Sequence, residues 1–499
     1  MIVKLSKYMK TLLTSLIIIL LFTQSMSYAF DQSLIDKIDA HVKESMIKGS
    51  IPGLSVAIIS GDSETYLNSY GNTGSGKVKV INQTPFIIGT PTQSITALAI
   101  KKLTNEGKID LEWPLEHYMP WFQLLKPDGS KILIADLVTH TSGLSTSSGE
   151  HPNTFSENYD LKSLSERIAK SEKTAFVSTS DKQYSALNYI LLGHLIEVVT
   201  ERSYESYVTD EIFTPIGMHT TNFQETLTGR LDLAQGHRNI YGFVVPTNLQ
   251  FPNGLISTHY MVGTIEDLSK YASLMLNNGY YEQGGNWLSI FNDNELPTPH
   301  DTSEHLYYDF LWQTQTQVDP SNHNGYNGAI GQLPNYTSAM LINPDKKMAV
   351  LVLSNLSNPY ETPAINAQTI ANDITDLING TPTYTFEPKE NISMWLLPVL
   401  AMALMWYMVK TLRLRLKKRK GLIADGETVS LKRMNKGLIT RGLLSAIAYL
   451  GLPSLMGQSW QFFASASPEY GFPILLIIVF NLTMVILEWI LMIKNQKNL

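Results

Sequence analysis

The sequence predicts an α+β domain, an antiparallel sheet flanked by helices, followed by three apolar spans. Three observations predict it. Residues 54–60 and 65–70 read as strands joined at Gly61-Asp62. Residues 338–342 and 348–353 read as a second strand pair turning at Asn343-Pro344-Asp345. Three apolar runs then close the chain at 392–409, 442–457 and 472–493, close to the length of about 20 residues that a membrane span needs.

Charge supports this division. The 499 residues carry a formal net charge of −6, but residues 410–441 hold eleven Lys and Arg against Asp425 and Glu427, a net +9. The remainder is therefore −15. An acidic body with one compact basic loop is unlike a nucleic-acid binder. It fits the excess of Lys and Arg on cytoplasmic membrane loops. There are no cysteines, which excludes disulfides, thiolate catalysis and Cys-based metal sites. No pattern calls for a metal or an organic cofactor.

Residues 1–29 read as a secretory signal peptide. Lys4, Lys7 and Lys10 precede the apolar 12–22, and Ser27-Tyr28-Ala29 fits a cleavage site. An uncleaved N-terminal anchor is the alternative. The body then spans 30–380. Residues 31–48 are an amphipathic helix with Leu34, Ile38, Val42 and Met46 at steps of four. Gly71 to Lys77 nearly matches a phosphate loop, but Val78 stands where a Ser or Thr is needed and no helix pattern follows. It reads as a loop after the first strand pair.

The stretch Phe86-Ile-Ile-Gly89-Thr90-Pro-Thr-Gln93-Ser-Ile-Thr-Ala97 enters a helix that places Ile95, Leu98, Ala99 and Leu103 on one face. Thr90 stands at the positive end of that helix dipole. His140-Thr-Ser142-Gly143-Leu144 follows residues 133–138. A Ser beside a His invites a nucleophile reading, but neighbours in sequence rarely face one another productively. A helix end capped by Gly143 is the simpler one. Tyr184-Ser185-Ala186 opens another helix pattern, with Asn188 two residues on. Thr362 as N-cap and Pro363 at the first position start a last helix, with Ile370, Ile374 and Ile378 on one face and Gly380 after its end.

In this order and spacing the landmarks resemble serine β-lactamases and penicillin-binding proteins (the S12-type, class C-related branch). That resemblance covers about residues 31–378. It implies an antiparallel sheet carrying the opening and terminal helices, with an all-helical region beside it. It also implies a cleft with a Ser-x-x-Lys nucleophile and base, a Tyr-x-Asn, and a Lys-Thr-Gly or His-x-Gly on the strand edging the site. The corresponding positions here are Thr90 and Gln93, Tyr184 and Ala186, and Ala329 with Gly331. His323-Asn-Gly325 competes for the last motif but stands far before Pro334. Pro215-Ile-Gly-Met218 resembles the family's Pro-Leu-Gly-Met turn, and Asn253-Gly-Leu-Ile-Ser257 with the helix over 264–276 resembles its Gly-Gly-Leu segment.

The chemistry expected of such a cleft fails at four of five positions. Thr90 keeps a hydroxyl but adds a methyl that crowds a helix start. Gln93 is an amide and takes no proton near neutral pH. Ala186 and Ala329 remove the amide and the cation that would bind a substrate carboxylate. Tyr184 remains, with no cation evident nearby, so its phenol should stay near about 10 and serve poorly as a base. Losing a nucleophile–base unit removes on the order of a million-fold in rate. Backbone N–H groups near Thr90 remain as oxyanion donors.

The sequence therefore predicts a catalytically degenerate, membrane-anchored protein. It would hold a peptide, a peptidoglycan fragment or a secondary metabolite, or else partner an active paralogue. The alternative is an active acyl-transfer hydrolase or peptidase that matures a prodrug or cleaves D-amino-acid peptides. The order of signal peptide, body and three spans resembles membrane-anchored peptidases that mature nonribosomal-peptide prodrugs, of the colibactin-maturing type. The linker 381–391 would lead from an extracytoplasmic body to the inner membrane of a bacterium. The loop 410–441 and the C-terminus would then lie in the cytoplasm.

Overall fold

The computed structural model describes residues 30–383, apart from 62–63, 75–77, 127, 145–158, 171–183, 224–232, 241–242, 248–252, 278, 284–285, 291–324 and 358–364, together with 398–399, 401–403, 405–410, 413 and 468–496. The expected signal peptide, the run 442–457 and most of the basic loop lie outside the described residues, as do His323, Thr362 and Pro363.

In chain order the body begins with α1 (Gln32–Lys48), β1 (Gly53–Ser60), β2 (Glu64–Gly71), β3 (Phe86–Ile87) and α2 (Pro91–Asn105). It continues through α3 (Leu115–Tyr118), α4 (Ile134–Val138), α5 (Leu161–Lys170), α6 (Ala186–Thr200) and α7 (Tyr204–Val208). Next come β4 (His237–Ile240), β5 (Phe243–Pro246), β6 (Val262–Gly263), α8 (Ile265–Leu276), β7 (Tyr280–Gln283) and β8 (Asn286–Ser289). It closes with β9 (Asn327–Gln332), β10 (Thr337–Asn343), β11 (Met348–Ser354), β12 (Leu356–Ser357) and α9 (Ala367–Asn379).

The main sheet has the order β2-β1-β11-β10-β9, and every neighbouring pair in it is antiparallel. Both faces of β1 are buried, for a reason legible in its two-residue period. Leu54, Val56 and Ile58 join one apolar cluster with Ile38 and Val42 of α1 and Ile370 and Ile374 of α9. Ala57 and Ile59 join the other, with α2, α6 and α8. The first and last helices thus share one face of the sheet, as the resemblance implies. His41 Nε2 lies 2.9 Å from Asp373 Oδ2 and bridges them.

Asp31 caps α1, its carboxylate accepting from the Ser33 amide. The start of α9 differs from expectation. Asn366 is the N-cap, its side chain accepting from the Thr369 amide while Thr369 Oγ1 accepts from the Asn366 amide. This reciprocal box satisfies two helix-start donors at once, four residues beyond the predicted start at Thr362. Gly380 ends the helix at φ 69°, as expected.

The helix α2 is buried nearly all round, from Pro91 to Ile100 and at Lys102 and Leu103. The sequence suggested one apolar face. A helix enclosed on every side runs through the interior of a domain, and here it carries Thr92, Gln93, Ser94 and Thr96 with it.

Beyond the body, described residues 398–399, 401–403 and 405–410 are helical. The third apolar run lies inside α10 (Pro468–Gln496), which contains Pro473. Among the described residues no helix is long and apolar enough to cross a membrane.

Candidate active-site cleft

The site is built where β3 feeds α2. Phe86 and Ile87 pair with Gly263 and Val262, and the Ile88 amide donates to Met261 O at 3.0 Å. Gly89 then turns the chain at φ 68°. A Cβ there would stand 2.9 Å from Gly331 Cα, so both the backbone angle and the close approach demand glycine. On its other side Ser338 Oγ donates to Ile88 O at 2.5 Å. The helix start is thereby clamped against the edge strand β9.

Thr90 is the N-cap of α2, and its side chain makes no capping hydrogen bond. Pro91 follows at the first helical position, where a missing N–H costs nothing. The Thr92 amide donates to Gly89 O at 3.0 Å and the Gln93 amide to Thr90 O at 2.8 Å. None of the three residues after Thr90 therefore directs an amide outward. The Thr92 and Gln93 amides at this helix start are thus spent on turn carbonyls.

One turn on, Gln93 Nε2 donates to Tyr184 Oη at 2.9 Å. Tyr184 Oη also lies 2.9 Å from His259 Nε2. The direction of the second bond follows from its far end. Thr258 Oγ1 donates its one proton to Leu255 O at 3.0 Å. It must then accept from His259 Nδ1, 2.8 Å away. With the ring proton on Nδ1, Nε2 is an acceptor and Tyr184 donates to it. That spends the phenol proton, so the Gln93 contact must be an N–H bond. Burial holds the His259 pKa down, to about 4, which keeps the imidazole neutral and this polarity fixed.

His259 is the member of the site that sequence reading missed. It stands two residues past Ser257, in a segment already singled out, but a lone His carries no partner signal in sequence. Its contact with Tyr184, 75 residues away, exists only in the fold. Tyr184 therefore has a neutral imidazole beside it.

Ala186 is the first residue of α6 and is buried. Asn188, one turn in, points away from Tyr184. Its Nδ2 donates to His140 Nδ1 at 2.9 Å and its Oδ1 accepts from Ser142 Oγ at 2.6 Å. It cannot substitute for the missing amide. His140 itself ends α4 at φ 57°. The His140 amide donates to Leu137 O and the Thr141 amide to Asp136 O, the double bond pattern of a Schellman cap. His140, not Gly143, is thus the left-handed capping residue. Its ring accepts from the Ser185 amide at 3.2 Å and lies 5.1 Å from the Tyr184 ring. His140 and Ser142 are structural: they hold the turn that presents Tyr184.

On β9, Ala329 pairs with Met340 and Gly331 with Ser338. Ala329 is fully buried within the core cluster of the helical side. Ala329, the residue that the resemblance sets at the cationic position, presents only a methyl group. A Cβ on Gly331 would meet Ile88 O and Ser338 Oγ at 2.3 Å each.

A Ser–His–Asp grouping lies elsewhere. Ser45 Oγ stands 3.3 Å from His41 Nε2, the atom that also faces Asp373. Both partners use one ring nitrogen, so the imidazole cannot pass a proton between them. Among the described residues no group of three or more His, Cys, Asp or Glu is placed to hold a metal ion.

The beta-lactamase family profile matches residues 38–373. The chain belongs to the beta-lactamase family. Among relatives of this beta-lactamase family protein, Protein flp of Staphylococcus aureus (strain COL) is 27% identical over 327 residues, covering 65% of this chain and 64% of the relative. The chain thus spans less than two thirds of that relative's length. Teichoic acid D-alanine hydrolase of Staphylococcus aureus is 31% identical over 205 residues, covering 40% of this chain and 47% of the relative. The octameric penicillin-binding protein homologue from Pyrococcus abyssi shares the fold with TM-score 0.56 and 24% identity, covering 70% of this chain and 78% of the other.

Proposed function

We propose that the body is a non-hydrolytic binding protein that keeps the cleft of a serine hydrolase. The observation that carries this reading is the Gln93–Tyr184 hydrogen bond. An amide donates where a base would have to accept. Gln93 offers no group that takes the proton of Thr90. Ala329 adds nothing, being buried among apolar side chains.

The ligand is an aminoacyl, peptide or cell-wall fragment. The likeness to Teichoic acid D-alanine hydrolase supports this class. We also propose that the chain is membrane-anchored with its body extracytoplasmic, supported by residues 1–29, the apolar runs and the +9 loop between them. A fluorescent protein inserted in the loop 410–441 should then light up inside the cell. Fluorescence lost there and regained only in an extracytoplasmic reporter would sink this topology.

One contact favours a second reading, acyl transfer through Thr90. His259 Nε2 gives Tyr184 a proton acceptor, the group a hydrolase would need beside its tyrosine. Covalent trapping decides between the two. The full chain is incubated with a fluorescent penicillin and with a fluorophosphonate. The binding reading expects no adduct on the native chain. An adduct mapped to Thr90 supports the hydrolase.

A further inference from the structure

The hydrogen bonds around Tyr184 run one way. Gln93 donates to Tyr184, Tyr184 to His259, His259 to Thr258, and Thr258 to Leu255 O. The Tyr184 proton is committed to His259, so Tyr184 meets any further group as an acceptor. Beside it, Gln93 Oε1 is buried and has no hydrogen-bond partner among the described residues. Gln93 itself is 0% exposed. A buried acceptor left unpaired costs about 1–3 kcal/mol, and such groups in a native fold call for an explanation. The two oxygens are neighbours in space, because the Gln93 amide that carries Oε1 donates from its nitrogen to Tyr184 Oη.

From this polarity, resting on the binding reading above, we infer that the cleft receives its ligand through a hydrogen-bond donor. The group is the ammonium of an aminoacyl compound, held by Gln93 Oε1 and Tyr184 Oη. A carboxylate is excluded from that position. It would face two acceptors, and at the places where a cation would balance it stand Gln93 and the buried Ala329. Tyr184 and His259 are half-buried and Gln93 lies fully buried behind them.

The test uses the purified full chain and two probes: D-alaninamide, with a free ammonium and no carboxylate, and N-acetyl-D-alanine, with a carboxylate and a blocked amine. Titration is followed by calorimetry, with ammonia release assayed in the same samples. D-alaninamide should bind at least about tenfold tighter than N-acetyl-D-alanine, as one charge-assisted hydrogen bond implies. Gln93→Glu should widen the preference and Gln93→Met should abolish it, with each variant's melting curve confirming that it folds. Equal or tighter binding of N-acetyl-D-alanine overturns the inference, as does failure of D-alaninamide to bind. Ammonia release from bound D-alaninamide is a separate outcome. It overturns the non-hydrolytic reading while leaving the polarity of the cleft standing.

Discussion

The Tyr184 hydroxyl donates to His259 Nε2 across 2.9 Å, joining the start of α6 to the segment before β6. This bond sets the character of the cleft. It orients Gln93, fixes the tautomer of His259 and leaves Tyr184 as an acceptor.

His259 makes the fold pH-sensitive in a defined direction. Its pKa falls from about 6.5 in the unfolded chain to about 4 in the native state. The unfolded chain therefore binds a proton first as pH drops. The stabilisation is complete above about pH 6.5, declines as pH falls toward 4, and is gone below that. His237 is also shifted downward, mainly by burial, and acts with the same sign. Melting temperature measured between pH 7.5 and 4 should fall more steeply in the native chain than in His259→Gln. Equal slopes would mean that His259 is not held neutral by the fold.

His140 is predicted to resist replacement by glycine, although glycine suits its backbone. A left-handed residue costs about 1–2 kcal/mol. Against that, the ring accepts from the Ser185 amide and from Asn188 Nδ2. Each donor left buried and unpaired costs about 1–3 kcal/mol. The second effect is larger, so His140→Gly should destabilise the body by about 1–4 kcal/mol in urea unfolding. A more stable variant would show that backbone strain dominates.

Gly331→Ala should be strongly destabilising. Its Cβ would stand 2.3 Å from Ile88 O and from Ser338 Oγ, forcing β9 away from the helix start. Overpacking of this kind costs about 1–3 kcal/mol. Gly107→Ala serves as a contrast, because nothing lies within 4 Å of that Cβ and only its positive φ opposes the change. Comparable melting temperatures for the two would contradict the clamp between β9 and α2.

Asn366→Ala should remove the cap of α9 and cost about 1 kcal/mol. Thr362→Ala should be near neutral, since the helix starts at Ala367. Thermal unfolding of both variants distinguishes the observed cap from the one suggested by the Thr-Pro pair.

Most of the body was legible in the sequence because its signals are local. The alternation through β1, the turn before β11 and the four-residue spacing of α1 and α9 each sit within one element. Thr90, Gln93 and Tyr184 were found because their neighbours keep a recognisable order, and the fold brings Gln93 and Tyr184 into contact. Other features depend on contacts that no local pattern encodes. His259 reaches Tyr184 only through the packing of two distant segments. His140 takes a glycine-like angle because its ring is held by α6. The polar residues of α2 are buried because the helix is enclosed, which a one-faced apolar pattern does not announce.

Covalent trapping of the native chain beside Thr90→Ser/Gln93→Lys tests the central claim most directly. Intact mass is read after exposure to a fluorescent penicillin and to a fluorophosphonate. The account predicts no adduct on the native chain and an adduct at residue 90 of the double variant. A stoichiometric adduct on Thr90 of the native chain would contradict it and make the protein an acyl-transfer hydrolase.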